Sequence, residues 1–359
     1  MKMTTPFIRI PAVLISTVLT LSALTGCRGT SSSSDTDTHP YEEAASAVRS
    51  LDRLEMLEHV SAGGLPEIRK VTEVFAVKGA DTLRLDRYFV PGADSCASPV
   101  VVFVFGGGFR FGERYSEMFV PYFEFLARHG CTVASIDYRT MLGRITFDGR
   151  PSPVDFMNIL QSAIDTAVVD LYDATRYIAQ QREAWGIDPE KIVISGSSAG
   201  AITVLQAEYY RCNSHSLAAR LPEGFRYAGV ISFAGAISDK QKLHWQTLPC
   251  PVMLFHGNAD GIVPFRKAHL PFLGGLWGSE TIARNLESLD SPCHFYEIDN
   301  AGHEIASLPM SRNLYDIAAF LSRQVIDGKP LSVHTLETVP GAPAAKKRFT
   351  VIDYIRNNT

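Results

Sequence analysis

Short apolar runs recur along the chain from position 99 onward, each closed by glycine or a polar turn and each set beside a longer stretch of helical spacing. Residues 99–105 are continuously apolar, as a strand buried on both faces would be. The same theme returns at 131–137, 192–194, 227–234, 252–255 and 293–298. Between these runs, 118–129, 164–184 and 311–326 carry apolar residues at helical intervals, with Gly130 as one stop and Trp185-Gly186-Ile187-Asp188-Pro189 as another. Strands alternating with helices predict the α/β class, one mostly parallel sheet covered by helices on both faces. Ahead of it, 71–77 and 83–90 read as two β stretches joined by the turn Lys78-Gly79-Ala80-Asp81, an antiparallel start to the sheet. Residues 41–60 place Ala44, Val48, Leu51, Leu54 and Leu57 at helical spacing and predict a leading helix. The segment 140–158, broken by Gly143, Gly149, Pro151 and Pro153, reads as a long connection of the kind used for lids and binding loops. Beyond 326, Pro330, Pro340, Gly341 and Pro343 predict an extended tail, in which 349–355 fits a short strand or a helix equally well.

The first residues are set apart from any fold argument. Lys2 and Arg9 precede an apolar stretch, 10–24, that is short and interrupted by Pro11, Ser16 and Thr17, the pattern of an export signal rather than a membrane span. It ends at Leu24-Thr25-Gly26-Cys27, which resembles the lipobox of bacterial lipoproteins. That resemblance implies cleavage before Cys27, lipidation of its sulfur, and an exported chain anchored to a bacterial membrane; an ordinary secretory signal with an incidental cysteine is the alternative. Residues 27–40, with Ser31 to Ser34 and Asp35-Thr36-Asp37-Thr38, offer nothing apolar to bury and predict a flexible tether.

Composition narrows the partners. Of 359 residues, 46% are hydrophobic and 20% charged, with a net charge of -4, which is globular. The one basic run, Lys346-Lys347-Arg348, is too small to suggest nucleic acid. Five cysteines follow Cys27 without regular spacing, so neither a zinc site nor a disulfide scaffold is indicated. Cys96 and Cys131 each precede a predicted strand, as do Cys250 and Cys293, and each pair would bridge if those strands are parallel neighbours.

Chemistry concentrates at strand ends. Lys191 to Ser195 breaks into Gly196-Ser197-Ser198-Ala199-Gly200 and then a helical pattern, so Ser198 stands at the apex of a strand, turn and helix, as in the nucleophile elbow of an α/β-hydrolase. A serine hydroxyl needs a base in reach and a group that orients the base. Asp260 lies in the run His256-Gly257 to Val263-Pro264 after one strand, and His303 in Asn300-Ala301-Gly302-His303-Glu304 after the next, giving the order Ser, Asp, His. We assign His303 as base and Asp260 as its orienter. His256 is a rival base better suited to a structural hydrogen bond, and Asp299 and Glu304 are rival orienters. Gly106-Gly107-Gly108-Phe109 after the 99–105 strand offers backbone N–H groups to a small anion, where one glycine would serve a plain turn.

Together with Asp137-Tyr138-Arg139 and Asp188-Pro189, these motifs resemble the carboxylesterase and hormone-sensitive-lipase-like branch of the α/β-hydrolases over about 71–323. The resemblance implies an α/β-hydrolase domain at 41–326 with 327–359 as an extension, and an oxyanion hole from Gly107, Gly108 and Ala199. Phe105 stands where many members have histidine, as in cholinesterase-type enzymes, and Ser197 where the family often has an acidic residue. What it implies is a serine esterase working through an acyl-enzyme, with no metal or organic cofactor, acting on acetyl, feruloyl or other short acyl esters, including those of polysaccharide. The alternatives are a serine exopeptidase of the prolyl-peptidase type and a non-catalytic surface binding lipoprotein.

Overall fold

A computed structural model describes residues 66–92, 97–146, 149, 151–270, 273–338 and 349–358. The expected leading helix, the signal and tether, Cys27 and Cys96 lie outside the described residues. The chain starts with an antiparallel hairpin, β1 (Arg69–Lys78) and β2 (Asp81–Phe89), turned at Gly79 and Ala80 between the paired Lys78 and Asp81. Then come β3 (Ser98–Val104), α1 (Val120–Arg128), β4 (Thr132–Ile136), α2 (Pro153–Gln180), β5 (Ile187–Ser197), α3 (Ala199–Cys212) and β6 (Gly229–Phe233). The second half adds β7 (Ala236–Asp239), β8 (Val252–Gly257), β9 (Lys267–Leu270), β10 (Gly274–Gly278), α4 (Ser279–Glu287), β11 (Cys293–Asp299), α5 (Leu314–Phe320), β12 (Val333–Thr338) and α6 (Val351–Asn358).

Nine strands form the main sheet in the order β1-β2-β4-β3-β5-β6-β8-β11-β12, parallel from β4 to β12 and antiparallel at the β1 and β2 edge. The predicted α/β architecture is therefore the observed one. Val100 to Val104 are all fully buried, each such side chain contributing about 1.5–3 kcal/mol of transfer free energy. Phe119, just before helix α1, and Tyr122 and Phe123 within it lie against Phe103, with ring centroids 4.8, 6.0 and 5.0 Å away. Because β4 and β5 lie on opposite sides of β3, the strand order reverses there, and a crevice opens at the carboxyl ends of β3 and β5.

Four details depart from the sequence reading. The helix expected from 164 begins at Pro153: Ser152 caps it by accepting from Asp155 N (3.1 Å), and Pro153 occupies the first turn, where its missing N–H costs nothing. A small antiparallel sheet, β7-β10-β9, was hidden because β10 is glycine-rich and β7 and β9 are four residues each. The stretch after 326 is more than an extended tail: β12 pairs in parallel with β11, and α6 buries Val351, Tyr354 and Ile355, setting Tyr354 6.0 Å from Phe156 of α2. Cys250 and Cys293 are free thiols, because Cys293 pairs in register with Val252, two residues beyond Cys250. Cys131 is free as well.

Desolvation pushes the buried imidazole of His294 on β11 down to about 4, with the positive charge of Arg323 adding to the effect. A histidine with an unfolded value near 6.5 then favours folding above that pH and opposes it as protons bind, so its contribution is lost as pH falls from about 6.5 to 4. Between those pH values, wild-type unfolding free energy should drop by roughly 3 kcal/mol more than that of His294→Gln, measured by urea titration. Equal slopes in the two proteins would remove His294 from the acid sensitivity.

Candidate active site

Strand register brings the site together. Val104 of β3 pairs with Gly196 of β5, so two residues farther along each strand Gly106 and Ser198 emerge side by side; a Cβ on Gly106 would stand 3.1 Å from that of Ser198. Gly257 of β8 pairs with Ile298 of β11, and the loops beyond carry Asp260 and His303. Those loops are tied to one another by Asn258 N to Ile298 O (3.0 Å) and Ala259 N to Ala301 O (3.0 Å).

The elbow is tight. Ser198 has φ 51° and ψ -114°, a conformation of the kind that costs about 1–3 kcal/mol and persists only where its surroundings over-determine it. They do so here. A Cβ on Gly196 would lie 2.3 Å from Gly200 O, and one on Gly200 would lie 2.0 Å from Val104 O, so only glycine lets β5, α3 and β3 meet. Ser198 N donates to Phe233 O (2.9 Å), fixing the turn to β6. Ser197 donates to Ala306 O (2.8 Å), which joins the elbow to the short turn of helix His303–Ala306. That bond gives Ser197, the departure from the often acidic residue at this position, a structural role.

Ser198 Oγ lies 2.8 Å from His303 Nε2, and His303 Nδ1 lies 2.7 Å from Asp260 Oδ2. Asp260 Oδ1 accepts from Ile262 N (2.7 Å) and Val263 N (3.0 Å). Burial pushes the Asp260 carboxyl up, but hydrogen bonding and charge from His256 and His303 outweigh it and hold the group well below the ordinary carboxylate range. The ionised oxygen therefore faces Nδ1–H and leaves the Nε2 lone pair toward Ser198. The structure joins Ser198, His303 and Asp260 into one chain. The rival orienters are engaged elsewhere: Asp299 accepts from Asn258 Nδ2 (2.8 Å), and Glu304 from Gly302 N (2.8 Å).

Gly107 and Gly108 line the same cavity as Ser198, and Ala199 opens the 14-residue helix α3, where N–H groups lack intrahelical partners and the helix dipole is positive. The glycine loop is held from behind by the Asp137-Tyr138-Arg139 motif. Asp137 accepts from Arg114 Nη1 (2.9 Å) and Arg84 N (3.0 Å). Tyr138 packs its ring, tilted by 31°, 4.4 Å from that of Phe105 and donates to Phe105 O (3.2 Å). Arg139 grips the buried Asp170 of α2 with two guanidinium nitrogens (3.0 and 2.8 Å). The motif is local, but its partners Arg114, Asp170, Phe105 and Arg84 sit 23, 31, 33 and 53 residues away.

The cavity above Ser198 has a volume of about 890 Å³ and is lined by Phe111, Met118, Ile262 and His303, with Arg110 and Glu113 as its charged members. Asn357 of α6 completes the lining and donates to Gly261 O, beside Asp260.

A model of the carboxylesterase family matches residues 61–216. Esterase B1 of Culex pipiens is 27% identical over 131 residues, which cover 34% of this chain and 21% of the relative. A probable isoprenylcysteine alpha-carbonyl methylesterase of Oryza sativa subsp. japonica is 34% identical over 118 residues, 33% of this chain and 23% of the relative. The chain thus spans between 16% and 23% of the length of the curated relatives it matches. Among solved structures, a thermophilic esterase of Thermogutta terrifontis with propionate bound superposes with a TM-score of 0.52 at 21% identity, covering 74% of this chain and 96% of that one. Esterase 2 of Thermogutta terrifontis phosphorylated by paraoxon gives 0.50 at the same 21% identity, covering 74% and 96%. The architecture is the α/β-hydrolase fold of these esterases.

Proposed function

We propose, from an α/β-hydrolase fold whose residues 61–216 match the carboxylesterase family, that this chain is a serine carboxylic-ester hydrolase working through an acyl-enzyme. The observation that carries the reading is the hydrogen-bonded chain from Asp260 through His303 to Ser198 at the floor of a cavity lined by Gly107 and Gly108. His303 Nε2 takes the Ser198 proton as Oγ attacks the ester carbonyl, and Asp260 stabilises the imidazolium that forms. The carbonyl oxygen, now negative, is held by N–H groups of Gly107, Gly108 and Ala199. His303 then gives its proton to the departing alcohol, and a water activated by the same imidazole releases the acid.

The substrate we assign is an ester of a small or aryl acid, such as an acetyl or feruloyl group. Phe111 and Met118 are 70% and 63% exposed at the cavity, apolar surface that an aryl group would cover. The propionate found in the Thermogutta esterase supports a short acyl group. Hydrolysis of matched acetyl, butyryl, octanoyl and feruloyl esters tests this, with acetyl and feruloyl turnover expected to exceed octanoyl. Cleavage of aminoacyl amides with no ester turnover would overturn it.

The wall contributed by α6 makes a separate expectation. Asn357→Trp sets a larger side chain in the lining of the cavity without replacing a triad residue. KM for the feruloyl ester should rise by roughly tenfold while kcat for the acetyl ester stays near wild type, since lost pocket space weighs on the larger group. Steady-state kinetics on the two esters decides it, and equal effects on both would place Asn357 away from bound substrate.

A further inference from the structure

Asp260 serves two histidines. His256, at the end of β8, is fully buried, and its Nε2 stands 3.3 Å from Asp260 Oδ2 and 3.3 Å from Val263 O. Both oxygens can only accept while Asp260 is ionised, so Nε2 carries the hydrogen. On the far side of the ring, Nδ1 lies 2.7 Å from the buried hydroxyl of Ser279, the first residue of α4. That hydroxyl also donates to Gly235 O (3.4 Å). Phe265 meets the ring edge-on at 5.6 Å. Ser279, His256, Asp260, His303 and Ser198 therefore form one continuous line of side chains, with the carboxylate at its centre.

Resting on the reading of Ser198, His303 and Asp260 as the catalytic triad, we propose that His256 is a positioning residue. With Ser279 behind it, it holds Asp260 Oδ2 in place, withdraws part of its negative charge, and so sets how firmly Asp260 binds the imidazolium of His303. His256 Nε2 and His303 Nδ1 both face Oδ2, at 3.3 and 2.7 Å, with the His256 N–H placed between that oxygen and Val263 O. Remove the His256 N–H, and the remaining N–H of His303 sees a more basic carboxylate, which favours the protonated ring. The protonated ring cannot take the Ser198 proton, so the acid limb of activity moves to higher pH.

The other charged groups on the surrounding elements have partners of their own. Glu297 and Asp299 of β11 are bridged by Asn258 (2.9 and 2.8 Å). Glu280 of α4 pairs with Arg284 (2.6 Å) and Arg266 (3.9 Å), and Glu304 accepts from Gly302 N. Arg110 and Glu113 lie on the cavity side of His303. None of these is altered by substitution at 256 or 279, so a moved limb reports on His256.

The test is the pH dependence of kcat/KM on p-nitrophenyl acetate, and of the rate of Ser198 labelling by paraoxon, for the full chain and for His256→Leu, His256→Gln and Ser279→Ala. His256→Leu should shift the acid limb of both rates upward by roughly half to one pH unit. His256→Gln keeps an amide N–H toward Asp260 and should stay near wild type, and Ser279→Ala should shift in the same direction by less. Should His256→Leu not fold, the limb of Ser279→Ala against that of His256→Gln decides. Slower rates with unmoved limbs, or a Gln variant shifted as far as the Leu variant, would overturn the proposal and leave His256 a packing residue. Labelling needs no turnover, so wild type that labels but hydrolyses no ester counts against the ester reading, while the labelling limbs still decide the role of His256.

Discussion

Ser198→Ala will lose activity on p-nitrophenyl acetate by about 10⁴- to 10⁶-fold and will no longer be labelled by paraoxon, with its melting temperature close to wild type. The size follows from what remains. The substitution removes the nucleophilic oxygen and the 2.8 Å contact to His303 but leaves the backbone bond from residue 198 N to Phe233 O and the glycine contacts that build the turn. The left-handed φ of 51° is as strained for alanine as for serine, so no new backbone cost arises. His303→Ala should lose a similar factor, since a serine without its base is a poor nucleophile. The Ser198→Ala/His303→Ala double variant should then be no slower than either single one, because groups that act as a unit are not additive. Steady-state rates measured well above the uncatalysed background check all three. A double variant slower than both singles by the product of their losses would show that the two residues act independently, contrary to their hydrogen bond.

The legible part of the site was the part fixed by local pattern and chain order. A parallel sheet brings the ends of its strands to one edge, so Ser198, Asp260 and His303 could be expected to converge without knowing any distance. The glycine run was readable for the same reason, since β3 lies beside β5 and leaves its loop next to the elbow. What escaped depends on pairing between distant segments. No periodicity distinguishes β7, β9 and β10 from loop, because β7 and β9 are four residues each and in β10 Gly274, Gly275 and Gly278 take the place of alternating side chains. The proposed partner of Cys250 failed on a two-residue register offset that the sequence does not encode locally. Ser152 and Pro153 did signal the start of α2, but beside Gly149 and Pro151 they read as loop. The sharing of Asp260 by His256 was legible only in part: its place before the acid and against the strand end suits His256 to a structural hydrogen bond, but nothing local names Asp260 as the group it faces.

Gly107→Ala is expected to lower kcat by about 10²- to 10³-fold, while Gly108→Ala, one residue on, falls by far less. The two positions differ in what a methyl group would meet. At Gly107, φ is 113° and a Cβ would lie 2.1 Å from Phe111 O, so the backbone must move. Its carbonyl also accepts from Arg110 N (3.0 Å) and Phe111 N (3.3 Å), so that movement carries the whole turn with it. The N–H groups of 107 and 108 then rotate away from the oxyanion, and losing such a donor costs about 3–4 kcal/mol of transition-state stabilisation. At Gly108, φ is 62° and a Cβ has open space around it, so alanine costs only the left-handed backbone penalty of about 1 kcal/mol or a little more. That cost falls on stability rather than on the direction of the N–H. Because the oxyanion forms only as Oγ attacks, KM for either variant should stay near wild type while kcat separates them. The Tyr138, Arg114 and Arg139 contacts anchor the loop from outside and are untouched, which keeps the fold intact in both. Single-turnover kinetics on p-nitrophenyl acetate, beside thermal melts, make the comparison. Equal losses in kcat at the two positions would mean that strain in the loop, not the aim of its N–H groups, governs the rate, and the assignment of Gly107 to the oxyanion hole would fall.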